Sequence, residues 1–179
     1  KNYEIIFSGN LKRFNENRGL DFVIKAFLNK NMPQELKLKV IGGPLPEVRR
    51  LKKYVSKLGL DNKIDFLGRL DRKTTITNVE KASIGLLINS SKNLHSINYS
   101  SPLKYFEYLY ANLKIIAIDF PSHRALPFFE NISYFTENDE ESFINAIKIA
   151  SASNALERVD LKSITMDSRI KKIISLIAK

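Results

Sequence analysis

Residues 37–44, Lys37-Leu38-Lys39-Val40-Ile41-Gly42-Gly43-Pro44, have the pattern of a short apolar strand that ends in a glycine-proline turn. The segment 47–58 that follows has apolar residues at helical spacing, namely Val48, Leu51, Val55 and Leu58. Gly59 is a typical helix stop. Strand, turn and helix in this order are the building unit of a parallel α/β sheet.

The same alternation runs along the rest of the chain. Short apolar runs predict strands at residues 5–7, 36–41, 64–67, 84–88, 114–118 and 132–135. Helical patterns lie between or after them, at residues 19–29, 47–58, 73–81, 101–110 and 140–150. Six strands separated by helices predict the α/β class, with a Rossmann-like, doubly wound parallel sheet.

The glycines indicate where a ligand would bind. Gly9, Gly42, Gly43 and Gly68 each follow a predicted strand, as does the polar segment 89–101. Carboxyl ends of parallel strands share one edge of a sheet, and ligands of open α/β sheets bind there. These segments are therefore predicted to cluster around one site.

Composition excludes some functions and leaves others open. The chain of 179 residues has no cysteine and two histidines, so disulfide scaffolds, thiolate nucleophiles and Cys-based metal sites are excluded. Its net charge of +10 is compatible with nucleic acid, an anionic membrane or a phosphorylated ligand. The cations are spread along the chain, which favours a solvated surface first and a membrane-facing or partner-facing patch second. No apolar run approaches membrane-spanning length.

A second helix start lies at Ser100-Ser101-Pro102, with serine expected as N-cap and Pro102 at the first helical position. Leu103, Phe106 and Tyr110 then form an apolar stripe, and Glu107 falls inside it. A carboxylate on a buried face is costly unless it is paired, and a polar ligand is one candidate partner.

Cations accompany two of the strand ends. Lys104 precedes Glu107 by three residues at a helix start that can bind an anion; a Lys–Glu surface pair is the equal alternative. Gly9-Asn10 followed by Arg18 is either a phosphate contact or an ordinary loop with a solvated arginine. His95 and His123 are expected to be solvated loop residues.

Four segments together resemble the C-terminal domain of a GT-B-fold, family-4-type retaining glycosyltransferase. They are residues 7–20, which resemble the "hGRL…KG" opening, 37–44 ("LxIVGxGP"), 63–70 ("VxFLGxV") and 101–109 ("SPxKxFEYLA"). Their order and spacing match over nearly the whole chain.

The resemblance implies a donor site for a nucleoside diphosphate sugar. Glu107 would bind the ribose hydroxyls, and Arg18 and Lys104, with amides near Ser100 and Ser101, would bind the diphosphate. The loop Leu67-Gly68-Arg69 would contact the base, and Gly9, Asn10 and Gly43 would line the site. Neither a metal nor another cofactor is implied, since these cations and the helix dipole stabilise the leaving diphosphate.

Two positions depart from the family pattern. Tyr99 stands where many members carry a first glutamate, eight positions before Glu107. Asn10 replaces a commonly basic residue, for which Lys12 or Arg13 could substitute.

The resemblance also predicts a domain organisation. Residues 1–150 would form the donor-binding domain, and residues 151–179 a linker and a C-terminal helix, from about residue 165, that packs on a missing N-terminal domain. The chain opens directly on a strand, so we expect a fragment that transfers no sugar alone. We expect a cytoplasmic protein, with peripheral association at the inner face of the membrane as one option.

Two other functions remain open from the sequence. One is a GT-B enzyme that acts on the sugar nucleotide itself, such as a sugar-nucleotide 2-epimerase. The other is a non-catalytic basic Rossmann-like module that binds nucleic acid or a protein. The glycosyltransferase hypothesis expects no nucleic-acid partner.

Overall fold

The computed structural model describes residues 1–13, 16–99, 102–153 and 160–177. Its strands are β1 Glu4–Ser8, β2 Lys12–Arg13, β3 Glu16–Asn17, β4 Lys37–Ile41, β5 Ile64–Gly68, β6 Ile84–Leu87, β7 Lys114–Ile118 and β8 Ile132–Phe135. Its α-helices are α1 Leu20–Ala26, α2 Leu45–Lys57, α3 Arg72–Lys81, α4 Leu94–Asn98, α5 Leu103–Tyr110, α6 Pro121–Arg124, α7 Glu140–Ala152 and α8 Met166–Ile177.

Six of these strands form one parallel sheet in the order β5-β4-β1-β6-β7-β8. The predicted α/β class and the six-stranded doubly wound sheet are confirmed. The strand order reverses between β1 and β6, because the chain returns from the β5 edge to the other side of β1. Such a reversal opens a crevice at the carboxyl ends of the two central strands.

Each face of the sheet is covered by its own helices. Helices α1, α2 and α7 cover one face, where Val23, Leu51 and Phe143 belong to the larger apolar core. Helices α3 and α5 cover the other, where Val79 and Tyr105 pack in a second core. Burying one such side chain contributes roughly 1.5–3 kcal/mol to the stability of the fold. The apolar side of each helix therefore packs against the sheet.

Two glycines allow backbone and ring to approach the sheet closely. A Cβ added at Gly42, whose φ is +148°, would lie 1.7 Å from the Gly9 carbonyl oxygen. A Cβ at Gly85 in β6 would lie 2.4 Å from the ring of Tyr108. The loops after β1 and β4 therefore touch directly, and α5 lies close against β6.

The short elements were not predicted. They are the antiparallel hairpin of β2 and β3, helices α4 and α6, and two 3-10 helices, Phe129–Asn131 and Leu161–Ile164. Helix α4 lies inside the segment that we predicted as a polar loop. Its N-cap is Asn93, whose Oδ1 accepts from the amides of His95 and Ser96. These elements are too short to show hydrophobic periodicity.

The start of α5 differs from the prediction. The helix begins at Leu103, and Pro102 is its N-cap, with an extended ψ of 116°. Pro102 is therefore not the first helical residue. Ser100 and Ser101 lie outside the described residues, so the predicted serine cap is not described.

The tail agrees with the prediction in part. Helix α8 covers most of the helix predicted from residue 165. The linker predicted between residue 151 and that helix is shorter than expected, because α7 continues to Ala152 and Leu161–Ile164 is a 3-10 helix. Leu161 and Ile164 pack against the second core. Residues 154–159 lie outside the described residues.

Candidate functional site

Backbone hydrogen bonds hold the glycine loops together at the carboxyl edge of the sheet. The Gly9 amide donates to the Ile41 carbonyl, the Gly42 amide to Gly68, and the Leu11 amide to Gly43. The loops after β1, β4 and β5 thus form one continuous rim beside the crevice, as the positions of the glycines predicted.

Arg18 spans this crevice. One guanidinium nitrogen donates to Asn89 Oδ1 at 2.6 Å, at the end of β6, and the other donates to the Asn10 carbonyl at 3.3 Å, after β1. The guanidinium also lies over the Phe7 ring, 5.6 Å from its centroid. These contacts hold the charge at the point where the strand order reverses.

Lys104 reaches the same place from the first turn of α5. A pocket of about 20 Å³ is lined by Ser8, Asn89 and His123 as well as by Arg18 and Lys104. The structure therefore brings together the two cations that the sequence singled out for phosphate. Two cations near the N-terminus of an eight-residue helix form a site suited to an anion.

The buried face of α5 is not the predicted one. Tyr105, Tyr108 and Leu109 are buried, whereas Leu103 and Tyr110 are 77% and 81% exposed. The tyrosine rings can be buried because their hydroxyls find partners: the Ser8 amide donates to Tyr108 Oη at 3.1 Å, and Tyr105 Oη donates to the Pro127 carbonyl. Burial raises the pKa of Tyr108.

Glu107 consequently lies on the outer side of α5, and its predicted burial is wrong. Its side chain is 43% exposed, and its Oε2 is 2.8 Å from Lys104 Nζ. It also lines a cleft of about 390 Å³ between α3 and α5, together with Arg72, Ile76 and Tyr110. The carboxylate is close to the cationic pocket through Lys104 and is accessible to a ligand.

His123 is buried, which contradicts the expected solvated loop position. It lies in α6, is 1% exposed, and its Nδ1 is 2.7 Å from the Ile118 carbonyl oxygen. Burial, with a smaller effect of Arg18, lowers its pKa below the usual value. His95 is exposed, as expected.

The remaining predicted site residues lie along the rim. The Arg69 side chain packs directly against the backbone of Gly43, because a Cβ added at Gly43 would lie only 2.8 Å from Arg69 Nε. Asn10 and Arg69 are exposed, and Leu67 and Gly68 are half-buried. Lys12 was a candidate to replace the basic side chain that the family commonly has at position 10. Its Nζ instead lies 3.6 Å from Glu47 Oε2.

Glu47 belongs to a charged cluster that sequence reasoning missed. The side chain is 4% exposed, and Arg50 donates to it from Nε and Nη2 at 3.0 and 2.7 Å. Arg50 also forms a bidentate pair with Asp21 in α1, and these bonds raise its pKa. The spacing of Glu47 and Arg50 on α2 was visible in the sequence, but the burial was not.

Neither a metal-binding cluster nor a membrane-spanning helix is found in the described part of the chain. Within residues 1–13, 16–99, 102–153 and 160–177, no three His, Asp or Glu side chains are grouped as a metal site would require. In the same part of the chain, no helix combines the length and apolar character needed to cross a bilayer.

A doubly wound parallel sheet with a cationic pocket where its strand order reverses defines a Rossmann-like domain. Residues 1–160 match the family model of the glycosyl transferases group 1, so the chain belongs to this glycosyltransferase family. No curated protein sequence matches the chain significantly.

Solved structures support the fold. Trehalose 6-phosphate synthase from Burkholderia multivorans matches with a TM-score of 0.69 at 14% identity, over 99% of this chain and 43% of that one. HepE from Anabaena, in complex with UDP-glucose, matches with 0.64 at 17% identity, over 97% of this chain and 49% of HepE. The C-terminal domain of LpcC from Francisella tularensis matches with 0.61 at 17% identity, over 84% and 75% of the two chains. The chain thus spans about half the length of HepE, and these neighbours share its fold.

Proposed function

We propose that this chain is the donor-binding half of a glycosyltransferase that moves a sugar from a nucleoside diphosphate sugar to a glycan or lipid-linked acceptor, with retention of anomeric configuration. The observation that carries the proposal is the pocket shared by Arg18 and Lys104 where the strand order reverses. Membership of the glycosyl transferases group 1 supports it.

In this proposal the diphosphate binds between the two cations. Arg18 is already fixed by Asn89 and the Asn10 carbonyl, so little side-chain entropy is lost when it binds phosphate oxygens. Charge-assisted hydrogen bonds to phosphate are among the stronger ones. The same charges would stabilise the diphosphate as it leaves the sugar.

Glu107 would bind the ribose hydroxyls. Its present partner is Lys104, and both side chains are partly exposed. An exposed ion pair contributes at most about 1 kcal/mol. Breaking the pair so that Lys104 can bind phosphate and Glu107 can bind ribose therefore costs little free energy. Leu67, Gly68 and Arg69 would contact the base from the far side of the rim.

We infer further that the acceptor binds to a second domain. HepE, whose complex contains UDP-glucose, is about twice as long as this chain. The chain alone is therefore predicted to transfer no sugar, and residues 151–179 to pack on that second domain. A cytoplasmic location, with peripheral contact to the inner face of the membrane, remains a prediction.

The test is a calorimetric and NMR titration of the chain with UDP, GDP, ADP and their glucose conjugates. We expect at least one nucleoside diphosphate to bind, with the largest amide shifts at Ser8, Asn89 and Lys104. Inorganic pyrophosphate controls for simple charge attraction and should bind more weakly. Binding of none of these ligands, together with strong salt-sensitive affinity for RNA or DNA, would instead support a basic binding module.

A further inference from the structure

His123 is a buried titratable side chain that the proposed donor site does not yet use. It follows β7, is 1% exposed, and lines the same pocket as Arg18 and Lys104. A polar ring in that position either serves the packing of α6 alone or contacts whatever occupies the pocket.

The hydrogen bond to Ile118 fixes the tautomer of the ring. A carbonyl oxygen only accepts, so Nδ1, 2.7 Å away, carries the hydrogen. In the neutral ring Nε2 is then an acceptor, and none of the described residues bonds to it. The Phe120 ring stacks at 5.9 Å and an interplanar angle of 21°, which restricts the imidazole further.

Burial and the nearby cations disfavour the charged form of the ring. Burial and then Arg18 lower the pKa of His123, opposed by the Ile118 carbonyl and Asp119. Lys104 adds a second cation from α5. Asp119 is engaged by Arg124 in a bidentate pair, and the Tyr134 hydroxyl donates to the backbone carbonyls of His123 and Phe129 rather than to the ring.

We propose that His123 is a further ligand-binding residue of the pocket, and that its Nε2 takes a proton from solvent when a diphosphate binds between Arg18 and Lys104. This inference rests on the proposed function. The anion offsets both cations and supplies an acceptor, so the new Nε2–H donates to a phosphate oxygen. Nδ1–H keeps its bond to Ile118, and the net change is one proton gained by the complex.

The sign of the pH dependence follows from linkage. Bound diphosphate raises the pKa of His123 above its value in the free chain, which itself lies below the usual value. The added affinity is therefore fully present below the free-chain pKa and is lost as pH rises through the pKa of the complex.

The experiment is calorimetry with UDP-glucose, GDP-glucose and ADP-glucose in turn, each in two buffers of different ionisation enthalpy. Both phosphates of these ligands are esterified, so they do not titrate near neutrality, unlike the terminal phosphate of a nucleoside diphosphate. We expect proton uptake and tighter binding at about pH 6.5, near the ordinary histidine pKa, and neither at about pH 8.5.

Variants assign the proton. In His123→Asn the amide can still donate to the Ile118 carbonyl but cannot titrate, so uptake should disappear, whereas the matched control His95→Asn should retain it. Nitrogen-15 NMR of the His123 ring in the unmodified chain gives the same answer without a variant. Binding without proton uptake, or proton uptake that persists in His123→Asn, would overturn the proposed role of His123 but not the proposed function. Binding of none of the three sugars overturns the proposed function as well.

Discussion

Glu47 and Glu107 both lie on helices whose N-cap is a proline, Pro44 or Pro102, yet their surroundings differ. Glu47 is 4% exposed and bonded to Arg50. Glu107 is 43% exposed and paired only with Lys104 among the described residues. The buried carboxylate is committed to other parts of the protein, whereas the exposed one can exchange its partner.

The comparison shows that burial alone does not identify a ligand-binding acid. A buried carboxylate is already fully hydrogen-bonded, and removing its partners for a ligand would leave charges uncompensated. The cluster of Glu47, Arg50 and Asp21 joins α1 to α2, next to the glycine rim. We therefore propose that Glu47 serves stability and that Glu107 serves binding, and variants of each can test the division.

The largest effect is expected for Glu47→Gln. The variant removes the charge that Arg50 and Lys12 share, and we expect a loss of about 2–3 kcal/mol in the free energy of unfolding. The Lys12 and Arg50 side chains are each 42% exposed, so water partly solvates the cations left without a partner. The expected loss of stability is therefore smaller than for a fully buried ion pair. Urea unfolding measures it. Glu107→Gln is the matched control and should change stability by less than about 0.5 kcal/mol.

Arg18→Ala should mainly weaken binding. Loss of a positioned guanidinium is expected to reduce affinity for the diphosphate sugar that binds best by roughly 30-fold, about 2 kcal/mol. Isothermal titration measures the change. Lys53→Ala removes the same charge from the exposed side of α2 and should bind like the unmodified chain. Equal losses in both variants would mean that only net charge matters.

Glu107→Ala should separate ribose from phosphate recognition. We expect about tenfold weaker binding of the nucleoside diphosphate sugar, equivalent to about 1.4 kcal/mol, because hydrogen bonds to the ribose are lost. Affinity for inorganic pyrophosphate should not fall, since the freed Lys104 remains available. Parallel titrations of both ligands provide the measurement, and a matching loss for pyrophosphate would contradict the ribose role.

The smallest effect is expected on the buried side of the same helix. Tyr108→Phe removes the acceptor for the Ser8 amide and should lower the free energy of unfolding by about 1 kcal/mol. Because the ring stays in place, affinity for the ligand should change little. Thermal unfolding and titration of the same sample distinguish this outcome from a displacement of α5.

The sequence predicts what periodicity and strand ends control. All six strands of the main sheet and the glycine rim follow from those rules, whereas the pairing of Arg18 with Lys104 was implied by the family resemblance. The buried side of α5 does not, because tyrosines fit either environment and only the tertiary structure supplies the Ser8 amide and the Pro127 carbonyl as partners. His123 was missed for another reason: its partners Ile118 and Phe120 are close in sequence, but the four-residue helix α6 that turns the ring toward them is too short to show a periodic pattern.

Gly85 affects the geometry of the site from below. The ring of Tyr108 occupies the space that any larger side chain at position 85 would need. Helix α5 also carries Lys104 and Glu107, so its distance from β6 sets where both side chains stand relative to the crevice. Even a single methyl group at position 85 would push α5 away from β6. The change would alter how the site fits a ligand, although residue 85 itself does not contact that ligand.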